Sequence, residues 1–152
     1  MAQGADATLV AYGGDPEQGR MWCRDGAHSL ARWTGELRQA VHQKAGHVQL
    51  FSSLRRAAVT EDGGLLMVHA GIDSARPLSA QTDSFWWGSS GYTNLEPTYE
   101  GFRRVIRGFD PDRSGSSLEK YAVTLDKGCG AGGALHAACF GVGGEVICEI
   151  SG

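Results

Sequence analysis

Glycine supplies 23 of the 152 residues, about twice its usual ~7% share, and much of it stands in connectors between short apolar runs. Such a chain is built from short elements joined by tight turns. The longest apolar runs, 65–68 and 137–140 among them, have four residues each, against the roughly 20 needed to cross a bilayer. No transmembrane span, and no membrane partner, is expected. With 41% hydrophobic and 20% charged residues, the composition is that of a folded domain and not of a disordered one. The length fits one domain of the usual roughly 100–200 residues. A net charge of −3 gives no general attraction to phosphate backbones or anionic lipid, so nucleic acid is not an expected partner. The N-terminus MAQGADATLV lacks the basic stretch followed by an apolar one that marks a secretory signal, which points to a cytoplasmic location. Cys23, Cys129, Cys139 and Cys148 form no CxxC pair. They read as reduced thiols, three of them packed as small hydrophobes in strand-like or Gly-rich surroundings near the C-terminus.

Residues 1–26, with Gly13, Gly14, Gly19, Gly26 and a brief apolar stretch at 9–12, show no complete element of their own. Over 27–45, Leu30, Trp33, Leu37, Ala40 and Val41 recur at the spacing of an amphipathic helix, with Asp25 or Ser29 as a cap and Gly46 as a stop. Gly35 inside it costs about 1 kcal/mol relative to Ala. RRAAVT and LLMVHAG, joined by Glu61-Asp62-Gly63-Gly64, predict a hairpin over 55–69 whose second strand is buried. Residues 70–98 have no sustained period and carry Phe85, Trp86 and Trp87, as long functional loops do. Segments 121–125, 134–140 and 145–150, with glycines between them, read as an antiparallel meander.

Several constellations could carry chemistry. Gly128-Cys-Gly130-Ala-Gly132-Gly133 formally satisfies GxGxxG, but the helix, second strand and distant acidic residue of a dinucleotide site do not follow it. Phe102, Val105, Ile106 and Phe109 are spaced like the incoming helix of an EF-hand, and Asp110-Pro-Asp112-Arg-Ser114-Gly115 begins like its calcium loop. The twelfth position, which should be a bidentate Glu, is Tyr121. Glu119, at the tenth, closes such a loop only with altered geometry. A calcium module over 110–121 is therefore one alternative reading. His42, His47 and the isolated cysteines do not cluster as a zinc site does, and no GxSxG is present to suggest Ser-His-Asp catalysis. His69, in Leu-Leu-Met-Val-His69-Ala-Gly71, ends an apolar strand beside two small residues. That placement presents an imidazole at a sheet edge, whether to a ligand or to a hydrogen-bond partner within the chain.

Three segments, in order, point further. Val68-His69-Ala70-Gly71-Ile72, Arg107-Gly108-Phe109-Asp110-Pro111, and Thr124-Leu125-Asp126-Lys127-Gly128-Cys129 with Gly132-Gly133-Ala134-Leu135 resemble the C-terminal half of the calcineurin-like metallophosphoesterases. Within that family they are most similar to the bacterial branch of serine/threonine phosphatases and symmetrical diadenosine tetraphosphatases, where the segments read VHAG, GHTP and LDTGC-x-x-GG-x-L. The resemblance covers about 47–150. It implies an α/β fold, part of a two-sheet β-sandwich with flanking helices, and a dinuclear centre of two divalent transition metals (Mn, Fe or Zn) about 3.5–4 Å apart. It implies a phosphorylated substrate, phosphoprotein or dinucleoside polyphosphate, and it makes His69 a metal ligand.

This sequence departs from the family in two ways. Phe109 stands where the second motif has a His, and His136 lies in a strand-like run with no reason to replace it. The N-terminal motifs DxH, GDxxDRG and GNHE, which supply most of the ligands, do not occur. The expectation is a single partial domain over 1–152, lacking its first strands, not hydrolytic by itself and prone to self-association through open sheet edges. The competing expectation is a non-catalytic binding remnant that contacts a partner through Phe85-Trp86-Trp87 and Arg103-Arg104-Arg107.

Overall fold

The computed structural model describes residues 5–89, 91–97, 99–118 and 120–152. The chain divides into two units, Met1–Leu54 and Arg55–Gly152. The first is helical: α1 (Ala5–Ala11), α2 (Pro16–Asp25), α3 (Ala27–His42) and α4 (His47–Ser53). The stretch expected to lack complete elements thus holds α1 and α2. Asp15-Pro16-Glu17 starts α2 because the Asp15 carboxylate accepts the Glu17 N–H at 2.9 Å and Pro16 fills a position that needs no donor. Arg20 adds an ion pair to Glu17 at 2.5 Å, one turn away.

The helix α3 follows the predicted apolar stripe, but its ends differ from expectation. Gly26 is its N-cap and provides no side-chain bond. Asp25 closes α2, and its carboxylate accepts the Ser29 hydroxyl at 2.6 Å instead of a backbone N–H. Gly46, in the left-handed region at φ 80°, introduces α4 rather than ending α3. The two central helices meet where Gly19 faces the buried Trp33; a Cβ on Gly19 would overlap the indole ring.

The second unit is mixed α/β. A four-stranded sheet has the order β1 (Ala57–Val59), β2 (Leu65–Val68), β3 (Arg104–Arg107), β4 (Ala122–Thr124). β1 and β2 form the predicted antiparallel hairpin, while β2–β3 and β3–β4 are parallel. Asp62 organises the hairpin turn: its Oδ1 accepts the Thr60 hydroxyl at 2.6 Å and the Gly64 N–H at 3.1 Å.

Side chains alternate across the sheet. Leu66, Val68, Val105 and Ala122 face one cluster with Ile72, Phe85, Tyr92, Leu95, Tyr99 and Phe102, whereas Leu65, Ile106 and Val123 face another with Leu118, Leu125 and Phe140. Burial on both faces is what an all-apolar parallel strand such as β2 requires. Met67 alone of that strand is exposed.

Three further expectations are corrected. Of Phe102, Val105, Ile106 and Phe109, spaced as on a helix, Val105 and Ile106 lie in the strand β3 and the other two flank it, so no EF-hand helix precedes Asp110. The C-terminal segments do not form one meander: β4 joins the main sheet, and β5 (His136–Phe140) pairs with β6 (Val146–Ser151) in a separate antiparallel hairpin. The glycine run after β4 forms a 3-10 turn at Cys129–Ala131 that leads into β5. The described residues of the long segment between β2 and β3 form one short helix, α5 (Ser84–Trp87), and 3-10 turns. All four cysteines are exposed free thiols, not buried hydrophobes. No helix of the described residues is long and apolar enough to cross a membrane.

The same substitution in two adjoining helices should act with opposite sign. Gly19→Ala forces a methyl into the Trp33 ring and is expected to cost about 1–3 kcal/mol, outweighing its helix propensity. Gly35→Ala, with open space around it, is expected to gain up to about 1 kcal/mol. Thermal melts followed by circular dichroism check both; shifts of the same sign would contradict the packing.

Candidate functional site at the parallel strand ends

The C-terminal ends of β2, β3 and β4 lie side by side because those strands are parallel and adjacent. Each is followed by one of the three motifs. After β2, the His69 carbonyl accepts the N–H groups of Gly108 and Phe109 at 3.1 and 2.8 Å, extending the ladder past the strands. That bond sets the His69 ring stacked on Phe109, with centroids 5.3 Å apart and planes 12° from parallel. The Trp86 ring lies 6.0 Å from the His69 ring, tilted 49° to it; it is held there because the Phe85 carbonyl accepts the Ala70 N–H at 2.8 Å. His69 is exposed, and among the described residues no hydrogen bond occupies its ring nitrogens.

Arg107 lies beneath this cluster, 1% exposed. Its Nε donates to the Thr124 hydroxyl at 2.9 Å, its Nη1 reaches the Ala70 carbonyl at 3.5 Å, and the guanidinium sits 4.4 Å over the Tyr92 ring. Nη2 stands 2.8 Å from Asp110 Oδ1, but its N–H groups are not aligned on an acceptor, so this contact is coulombic. Burial pushes the Tyr92 hydroxyl well above the ordinary phenol range. That hydroxyl lies 3.0 and 2.9 Å from the carbonyls of Val105 and Val123.

Asp110, fully buried, spends its carboxylate on its own loop, with Oδ1 accepting the Asp112 N–H at 3.0 Å and Oδ2 the Ser114 N–H at 2.7 Å. Its N–H donates to Asp126 Oδ2 at 3.0 Å, and Asp126 Oδ1 accepts the Gly128 N–H at 2.7 Å. The sequence-predicted calcium loop is therefore an Asp-capped turn anchored to an arginine. Glu119, its candidate closing ligand, lies outside the described residues.

The remaining candidates are dispersed. His136 is buried, with Nδ1 3.2 Å from the Leu125 carbonyl and Nε2 3.2 Å from Glu149 Oε2, so both nitrogens are engaged. Arg103 pairs with Asp62, Arg104 donates to the Leu118 carbonyl, and Arg107 is internal; the three form no common basic face. In the aromatic loop Phe85 is core, Trp86 half-buried and Trp87 exposed. His47 accepts or donates at 2.7 Å to the Tyr12 hydroxyl in the helical unit. Among the described residues no three His, Cys, Asp or Glu groups converge as a metal site.

Sequence reasoning placed His69 at a strand end but missed the Arg107–Asp110 pair and the packing of Trp86. The pair carries a weak local signal, an acid three residues after a base across a strand end. The Trp86 contact has none. Comparison of the chain with protein-family models, with curated proteins and with solved structures finds no match.

Asp110→Ala leaves the Arg107 guanidinium buried without its counter-charge and strips the loop of its cap. A loss of about 3–5 kcal/mol is expected, read as the urea midpoint of the second unit. A change within about 0.5 kcal/mol, the usual range for a surface site, would contradict the buried pair.

Proposed function

We propose that this chain carries the C-terminal part of a calcineurin-like metallophosphoesterase domain of the bacterial serine/threonine phosphatase or diadenosine tetraphosphatase-like branch. In this reading His69 is one ligand of a two-metal centre. The observation that carries it is the stacking of His69 on Phe109 at 5.3 Å. Residues of two separate motifs meet at neighbouring parallel strand ends, where relatives with a His in both motifs would aim two imidazoles at one place. The third motif begins at the end of the next strand, with Asp126 bonded to the Asp110 N–H.

The residues in place do not fit the metal pair by themselves. A dinuclear site needs several carboxylates and imidazoles converging from different strand ends. Here the neighbours of His69 are aromatic rings, and the nearby carboxylates of Asp110 and Asp126 are taken by backbone N–H groups and Arg107. One free imidazole is what this arrangement offers. Two divalent transition metals (Mn, Fe or Zn), held with ligands from DxH, GDxxDRG and GNHE motifs, would supply an activated water and charge stabilisation for hydrolysis of a phosphoester or phosphoanhydride. The chain alone is read as non-hydrolytic, cytoplasmic, and able to self-associate through its open strand edges.

The test begins with the coding DNA, read in frame for about 100 codons upstream of Met1, a normal domain's worth. The reading expects the three missing motifs there. The longer protein should then hydrolyse p-nitrophenyl phosphate only with added Mn²⁺, and His69→Ala should lower turnover by about 100-fold or more, several kcal/mol of lost metal stabilisation. Hydrolysis unaffected by His69→Ala, or an upstream frame without the motifs, would overturn the proposal.

A further inference from the structure

Two of the four cysteines stand opposite one another. In the β5–β6 hairpin the register pairs Cys139 with Cys148, and directly opposed residues project from the same face of an antiparallel ladder. Leu135 and Gly152 exchange both backbone hydrogen bonds, at 3.1 and 3.0 Å, which sets the parity of the ladder. Ala137–Ile150 and Cys139–Cys148 are then hydrogen-bonded pairs as well. Such pairs hold their Cα atoms about 5.5 Å apart, inside the roughly 4.4–6.8 Å range that a disulfide spans.

The surroundings favour closure. Both thiols are free and exposed, and the ladder is irregular between Cys139 and Phe140, where a bulge bends the strand and breaks the regular pairing beside them. Cys23, in α2, and Cys129, in a 3-10 turn, have no cysteine set against them in any ladder.

We infer that Cys139 and Cys148 form a redox site, a thiol pair that a hydroperoxide closes to a disulfide within one chain and a dithiol reopens. One thiolate attacks a peroxide oxygen, breaking the O–O bond to give a sulfenic acid and hydroxide. The second thiol then attacks that sulfur, forming the S–S bond and releasing water. Two thiols lose two hydrogens, and one hydrogen peroxide becomes two waters. Opposed Cβ atoms stand about 4.5–5.5 Å apart, whereas a disulfide prefers about 3.5–4.5 Å. The bond therefore forms under tension and belongs to the easily reduced class. This inference does not rest on the phosphoesterase reading.

The test treats the full 152-residue chain with hydrogen peroxide, alkylates the remaining thiols and cleaves after Leu135 and Glu145, which separates Cys129, Cys139 and Cys148 into different peptides. The expected product is a Cys139–Cys148 cross-linked peptide two hydrogens lighter than its thiols, within single chains on non-reducing electrophoresis, and reversed by dithiothreitol. In urea the same treatment should scatter linkage among all four cysteines. With Cys148→Ser, Cys139 should instead accumulate as a sulfenic acid trapped by dimedone. The inference is overturned if the bond is no more frequent in folded than in unfolded protein, if it joins separate chains, or if Cys139 and Cys148 stay alkylatable while Cys23 or Cys129 oxidises.

Discussion

The second unit is organised around a buried cation. Placing a guanidinium in a protein interior costs several kcal/mol unless its charge is met, and Arg107 has partners on four sides, only the Nη2 N–H groups lacking an aligned acceptor. Asp110 supplies the counter-charge, Thr124 an acceptor on the neighbouring strand, Ala70 a carbonyl on the opposite neighbour, and Tyr92 an aromatic face. These partners come from the two adjacent strand ends and both long connections. Satisfying one side chain thus fixes where the connections leave the sheet. The stacking of His69 on Phe109 follows, because Phe109 lies between Arg107 and Asp110 in the chain and bonds the His69 carbonyl.

A second constraint is the covering of the sheet. Parallel strands are buried on both faces, and here one cover is an irregular segment with little regular structure. It holds its shape through polar contacts. The Gln81 amide, almost fully buried, reaches the carbonyls of Asp73 and Arg76 at 2.6 and 2.9 Å and the Tyr99 hydroxyl at 3.1 Å. Its oxygen accepts the Asp73 N–H and the Ser84 hydroxyl. A buried amide with every group matched rigidifies a loop that backbone pairing alone would not, and that rigidity holds Trp86 beside His69.

What could be read from the sequence is what local physics decides. The β1–β2 hairpin was legible because Asp62 and two glycines announce its turn, and α3 because its apolar stripe is long. The segment 102–109 misleads because four apolar residues at helical spacing also fit a strand end followed by a loop; only pairing with β2 distinguishes them. Strand β4 was located but given the wrong partners, the C-terminal strands instead of β3, since an apolar run with glycine connectors says nothing about direction or neighbour. The cysteines of β5 and β6 were misplaced for a related reason: a strand-like context does not say which face is covered, and Cys139 and Cys148 lie on the open one. At the site, His69 was visible as a polar residue ending an apolar strand. Its aromatic neighbours come from 17 and 40 residues away, distances no local pattern spans.

The placement of the strand ends depends on Arg107 being internal. The direct measurement is NMR of its side-chain Nε–H at neutral pH. The structure predicts a sharp, slowly exchanging resonance with through-space contacts to Thr124 and to the Tyr92 ring. A signal broadened by rapid exchange with water, without those contacts, would place the guanidinium at the surface and contradict the arrangement of the strand ends on which the site depends.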